Sequence, residues 1–306
     1  MATSPMIRLG IVVVYFVPEG NERLLDLHLR QIEKHTQEPY TIFGCATRVS
    51  ANARTVLTTN SHVRLCDCPP APAGARPTSE HAHYLEHLTR AAIEAGVTHV
   101  VTLHVDSFPV EPGWVQALAN RLSDKCAIVA PDVSYTAGIM FTREFYLRFA
   151  PSFLVTDTER GSSDYERFLA TCKPAQHSGT GYLFRAYLAG YSADLMQARV
   201  APFASARTGE LYEGVLFHFG HAAYLARAAS GRLPPPTPAR VWAQAVVSLA
   251  RYLLPAEARP VARRRLRWLI GESLEAASHD VGQRQIHREL AELVADPDRY
   301  INRLRK

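Results

Sequence analysis

The side chains able to do chemistry gather in four short segments of this 306-residue chain. The first is Thr98-His-Val-Val-Thr-Leu-His-Val-Asp106-Ser-Phe-Pro-Val-Glu-Pro-Gly-Trp114. An apolar run there ends on His104 and Asp106, and a Pro-Gly turn leads to a Trp that opens a helix. The second is Leu216-Phe-His218-Phe-Gly-His221, preceded by the acidic Gly209-Glu-Leu-Tyr-Glu213. The third places His81, His83 and His87 on one helix. The fourth runs from Asp157-Thr-Glu-Arg-Gly-Ser-Ser-Asp164-Tyr-Glu166 to Gln176-His177-Ser178-Gly179-Thr180. A carboxylate with neutral imidazoles suits manganese-like ions, and an imidazole near its ordinary pKa suits general-base work. His83 and His87 have metal-binding i, i+4 spacing, but no third donor lies nearby in sequence. His81 is at the start of its helix, where backbone donors favour a phosphate.

These segments need elements to hold them. Ile7 to Phe16 is a β-branched run of the length and type of a buried parallel strand. Val17 to Asn21 is a loop, and Leu24, Leu25, Leu27, Leu29 and Ile32 follow at helical spacing until Pro39 ends the helix. Tyr40 to Ala46 reads as a second strand, completing a βαβ unit. A third strand near His62 to Cys66 precedes Cys68-Pro-Pro-Ala-Pro-Ala-Gly-Ala-Arg-Pro77, a loop. A helix from about Ser79 to Glu94 turns Tyr84, Leu88, Ala91 and Ala92 toward the sheet, Trp114 to Leu122 is a short helix, and Cys126 to Ala130 is a buried strand. Asp157 to Glu166 reads as a polar, mobile loop. Open α/β sheets bind ligands beyond the carboxyl ends of their strands, where strand order reverses. Tyr15, Thr47, Arg48 and Asp106 all fall at such ends.

The strand that ends at Asp106, with its Pro-Gly turn and Trp114, resembles the donor-site strand of GT-A glycosyltransferases, and the succession over residues 7 to 225 is similar to the family-2 type. That resemblance implies a Rossmann-like, mostly parallel α/β sheet flanked by helices. It also implies a divalent cation, Mn2+ or Mg2+, held by an Asp-x-Asp-type motif against the diphosphate of a sugar nucleotide. His104 stands where the first acid of the motif belongs. GT-A enzymes often add a late histidine, for which His218 and His221 are the candidates; Gly220 splays the two, so one is expected to bind, His218 first. Nucleotide contacts fall to Tyr15, Thr47, Arg48, His81, His104 and Asp106. Pro131 to Phe145 resembles the segment that passes beneath the sugar, with Ala137 and Gly138 allowing close approach.

Two departures from the family pattern stand out. The acid that commonly follows the second strand is replaced by Cys45-Ala-Thr-Arg-Val-Ser50, which leaves the base open. The acidic pair that precedes the helix of inverting members is missing before Tyr182-Leu-Phe-Arg185-Ala-Tyr-Leu-Ala-Gly190-Tyr191. His177 and Asp164 are therefore equal candidates for the general base, and the stereochemical outcome stays open between inversion, which the resemblance favours, and retention.

Composition sets the frame. A formal charge of +5 with no aromatic-basic recognition motif argues against nucleic acid. No apolar stretch is long enough to span a bilayer, and the N-terminus lacks the features of a secretory signal; a cytoplasmic protein is expected. Five cysteines, odd in number and without paired spacing, are expected as free thiols. The sequence divides into a nucleotide-sugar-binding domain, 1–230, and a Pro-rich linker with a helical C-terminal extension, 231–306. Helices are expected at 241–254, 261–277 and 283–293, then a charged tail. Their apolar stripes need a partner, either the catalytic domain or a second copy. The Arg263-Arg264-Arg265-Leu-Arg267-Trp268 cluster is a solvated helix face, a peripheral contact with acidic lipid, or a subunit contact.

The expected protein is a GT-A-like glycosyltransferase taking a nucleoside-diphosphate-sugar donor and a hydroxyl-bearing acceptor. A nucleotidyltransferase of related fold, or a non-catalytic nucleotide-sugar-binding or scaffold protein, is the alternative.

Overall fold

A computed structural model describes residues 6–132, 134–174, 177–200, 209–220 and 286–305. His221, the Pro-rich linker, the Arg263 to Arg267 cluster and the helices expected at 241–254 and 261–277 lie outside the described residues.

The chain begins with β1 (Leu9–Val17), α1 (Glu22–His35) and β2 (Tyr40–Val49). The two strands pair in parallel, Leu9 opposite Tyr40, as expected. Nearly every residue of β1 is buried. Val12 packs with α3 (Pro77–Glu94) on one face, while Leu9, Ile11, Val13 and Tyr15 pack with Leu24, Leu25, Leu29 and Ile32 of α1 on the other. This alternation is what a strand between two helical layers requires. A helix that the sequence reading omits, α2 (Ala51–Thr59), follows β2. Ser50 starts it, its Oγ accepting the Ala53 N–H at 3.1 Å, a serine N-cap. The chain continues through β3 (Val63–Leu65) and α3 to β4 (His99–Leu103) and β5 (Ser107–Pro109).

The central sheet has seven strands in the order β3-β2-β1-β4-β7-β6-β8, with β6 (Cys126–Pro131), β7 (Met140–Thr142) and β8 (Ser192–Met196) completing it. It is mostly parallel and flanked by helices, the α/β class expected. Chain order reverses between β1 and β4, so the switch point falls at the carboxyl end of β4. The exception to parallel pairing is β7, antiparallel to both β4 and β6. It is interior, and Gly138 follows a single 3-10 turn at Tyr135–Ala137.

A second, antiparallel sheet crosses the mouth of the first in the order β5-β11-β10-β9, built from β9 (Ala198–Val200), β10 (Glu210–Tyr212) and β11 (Leu216–His218) with β5. The sequence reading does not anticipate it, because each strand is three residues long and carries no periodic signal. Its hydrophobic side, Phe108, Leu211, Phe217 and Phe219, is covered by two C-terminal helices, α9 (residues 286–295) and α10 (Pro297–Arg305), through Ile286, Leu293, Tyr300 and Ile301. The described part of the extension thus finds its partner on its own chain. The expected charged tail is a helix, and Arg303 and Arg305 occupy its last turn, where cations complement the helix dipole.

The remaining helices are α4 (Trp114–Ala119), α5 (Arg143–Phe149), α6 (Asp157–Arg160), α7 (Ser163–Cys172) and α8 (Thr180–Leu188). Gly113 enters α4 with φ of 76°, a left-handed conformation natural to glycine. Asp157 to Glu166 is not a loop. Thr156 and Glu159 form a capping box, and Ser162 caps α7, so the polar residues of this segment are helix-start signals. A Cβ on Gly181 would lie 2.2 Å from the Ser152 carbonyl oxygen, so only glycine lets α8 dock there. The five cysteines are free. No described helix is long and apolar enough to cross a membrane.

Candidate metal centre

The centre forms where β4 runs out. After Leu103 the chain makes a tight turn in which the Ser107 N–H donates to the His104 carbonyl at 2.9 Å. Ser107 Oγ accepts the His104 N–H at 2.7 Å, fixing the turn with a side chain as well as backbone. The turn sets His104 and the buried Asp106 just ahead of β5. There β11 pairs with β5, Ser107 opposite His218, and the Phe219 N–H donates to the Asp106 carbonyl at 2.8 Å. The second sheet therefore delivers His218 to Asp106.

The donor atoms of His104, Asp106 and His218 all lie within 4.8 Å of one another. His104 Nδ1 is 3.4 Å from His218 Nε2, and His218 Nε2 is 3.7 Å from Asp106 Oδ1. Donors about 2.1 Å from one shared ion stand up to ~4.2 Å apart, and the two separations made by His218 Nε2, 3.4 Å to His104 and 3.7 Å to Asp106, fall within that span. Two imidazoles and one carboxylate lean toward Mn, Co, Fe or Zn and away from Mg, which prefers oxygen. Among the described residues this is the one such cluster. His83 and His87 pack ring to ring without a third donor.

The electrostatics suit coordination. Burial, then the neighbouring His81 and His218, hold His104 well below its ordinary value, so it offers a neutral ring. Burial also takes His81 down to about 4; its ring meets His104 edge-on, centroids 5.2 Å apart. His218 goes the other way. Burial works against its charge, but Asp106 and Glu210 outweigh that and raise it.

Residues absent from the sequence reading complete the surroundings. His104 Nε2 is 3.0 Å from Thr136 Oγ1, and Thr136 Oγ1 is 3.4 Å from Ser178 Oγ. His28 is buried beneath, its Nδ1 donating to the Ser107 carbonyl at 3.0 Å; burial lowers it to about 4. Glu210 lies behind His218.

The other expected site residues are placed as follows. Ser178 brings the loop of His177 against the centre, and the His177 N–H donates to Thr180 Oγ1 at 3.1 Å. Asp164 is in the first turn of α7, half exposed and paired with Arg167. Tyr15 does not present its phenol at an open strand end; it is in the core, edge-on to His28. Thr47 and Arg48 are at the end of β2, where Arg48 pairs with Glu80 of α3 at 2.6 Å and lies over Phe16.

No protein-family model matches this sequence, and no curated protein matches it. The chain is similar to solved sugar transferases. One is the mannosyltransferase PcManGT of Pyrobaculum calidifontis, in complex with GDP-Man and Mn2+: 12% identity over 98% of this chain and 86% of that one, TM-score 0.43. Another is mouse xyloside xylosyltransferase 1 in its apo form: 10% identity over 62% of this chain and 86% of that one, TM-score 0.40. Likenesses this distant assign no activity to this chain, and the functional reading rests on the centre itself.

Proposed function

We propose that this chain is a GT-A-type glycosyltransferase that moves a sugar from a nucleoside-diphosphate-sugar donor to an acceptor hydroxyl. The observation that supports it is the meeting of His104, Asp106 and His218 at the carboxyl end of β4, beside the switch point where α/β sheets take their ligands. A divalent cation held there supplies neutralisation of the charge that develops on a departing nucleoside diphosphate. His104, Asp106 and His218 would hold that cation, and Thr47 and Arg48, near the end of β2, would meet the nucleotide.

His177 is the favoured base. Its loop is joined to the centre through Ser178 and Thr136, whereas Asp164 is engaged with Arg167. In an inverting displacement His177 accepts the acceptor's hydroxyl proton as that oxygen bonds to the anomeric carbon, and the bond from that carbon to the diphosphate oxygen breaks with its electron pair leaving on the nucleoside diphosphate. Residues 1–230 form the catalytic domain in this reading and 231–306 the extension.

The test is a panel of UDP- and GDP-sugars incubated with the protein and Mn2+, followed by release of nucleoside diphosphate. Release that depends on metal and is lost in Asp106→Asn supports the reading. No release from any donor, with or without alcohol acceptors, overturns it.

A further inference from the structure

Resting on the metal reading above, we propose that Glu210 is a positioning residue for His218, accepting the His218 Nδ1 proton and thereby aiming Nε2 at the cation held with His104 and Asp106. Glu210 was not a candidate from sequence, and its place follows from the hairpin. The β10–β11 ladder pairs Tyr212 with Leu216 and Glu210 with His218, so the two side chains are cross-strand neighbours on one face. Glu210 Oε2 is 3.9 Å from His218 Nδ1. That nitrogen is buried and has no hydrogen-bond partner, while Nε2, on the other side of the ring, faces Asp106 and His104.

Imidazole chemistry makes this pairing consequential. A neutral ring that binds a cation through one nitrogen carries its proton on the other, and a buried N–H without an acceptor is costly. Metal-bound histidines meet that need with an outer carboxylate, carbonyl or hydroxyl, which also fixes the tautomer. His104 already has such a partner, Thr136 Oγ1 against Nε2, with Nδ1 turned inward. For His218 the carboxylate in place is Glu210, itself held by the Tyr212 hydroxyl, which donates to Oε2 at 2.5 Å. The two ligands thus use opposite nitrogens, His104 through Nδ1 and His218 through Nε2, each with its outer partner on the far side.

Manganese titrations of the full chain, wild type against Glu210→Ala and Glu210→Gln, test the assignment. Zinc-loaded samples add a nitrogen-15 spectrum of the His218 ring. Expected are a roughly 10- to 100-fold loss of manganese affinity in the alanine variant, the scale of outer-partner changes, and partial recovery in glutamine, which keeps an acceptor oxygen. The His218 Nδ1 proton should give a slowly exchanging signal in wild type and be lost to solvent exchange in the alanine variant. A wild type that binds manganese while Glu210→Ala binds it equally tightly overturns the role of Glu210 alone, as does a lower melting temperature with unchanged metal affinity in Glu210→Gln. A wild type that binds no manganese overturns the metal reading and this inference with it.

Discussion

His218 Nε2 stands 3.7 Å from Asp106 Oδ1 because the Phe219 N–H is bonded to the Asp106 carbonyl and β11 is zipped to β5. The ligand pair is therefore set by backbone, and removing one side chain should leave the other in place. His104→Ala and His218→Ala should each lose at least about tenfold in manganese affinity, on the scale of coordination-shell changes. Wild type should also bind Mn2+ or Co2+ more tightly than Mg2+, since the set is rich in nitrogen. Calorimetric titration with each ion checks both; tighter magnesium binding would contradict the nitrogen-rich site.

Acid should expel the cation. His218 is raised by Asp106 and Glu210 against the effect of burial, so its proton persists to higher pH than on a free histidine and competes with metal there. Metal affinity should rise with pH as that proton leaves and level off above. A pH series of manganese binding, repeated on His218→Ala, should show the dependence weakened in the variant.

Beneath the centre, His28 gives a separate signature. Its folded value of about 4 lies below the unfolded value of about 6.5, so the unfolded chain binds more protons between those limits. Stability should be full above about pH 6.5 and fall as pH drops toward 4, with a slope of order 1 kcal/mol per pH unit from this group. Urea denaturation across the window, compared with His28→Asn, checks it; identical slopes would refute the assignment.

The C-terminal helices should matter to the centre through the second sheet. Leu293 is fully buried in the cluster with Phe108 and Phe217, and Leu293→Ala should cost about 2–5 kcal/mol. Because β5 and β11 carry Asp106's neighbour and His218, the same change should loosen metal binding as well. Denaturation and manganese titration on one sample would show whether the two losses travel together.

The parts legible in sequence are those with a period or a breaker. The apolar run of β1, the helical spacing of α1 and α3, and the strand that leads into the turn at Asp106 are directly legible, and they fix one wall of the centre. The second sheet could not, since its strands are three residues long and pair across distant segments. One signal is present: the three residues Glu213 to Val215, with Gly214 among them, separate two apolar runs, and a Gly-containing connection of that length reads as a hairpin, which sets Glu210 opposite His218. Thr136 and Ser178 carried no local signal, because they meet His104 only through tertiary packing. Asp157 to Glu166 has the composition of a loop because the Thr and Ser that cap its helices are also the residues that loops favour. Tyr15 falls at a strand's carboxyl half, but strand position does not say which face a side chain takes, and its face is the core.

The proposed role of His104, Asp106 and His218, holding a divalent cation that binds a nucleoside diphosphate, is open to direct measurement. Its most direct test is calorimetric titration of UDP and GDP into wild type and Asp106→Asn, each with and without Mn2+. Wild type should bind at least one of the two far more tightly with manganese than without, and Asp106→Asn should lose this gain while melting at a similar temperature. Equal nucleotide affinity with and without manganese, or an undiminished manganese effect in Asp106→Asn, would contradict it.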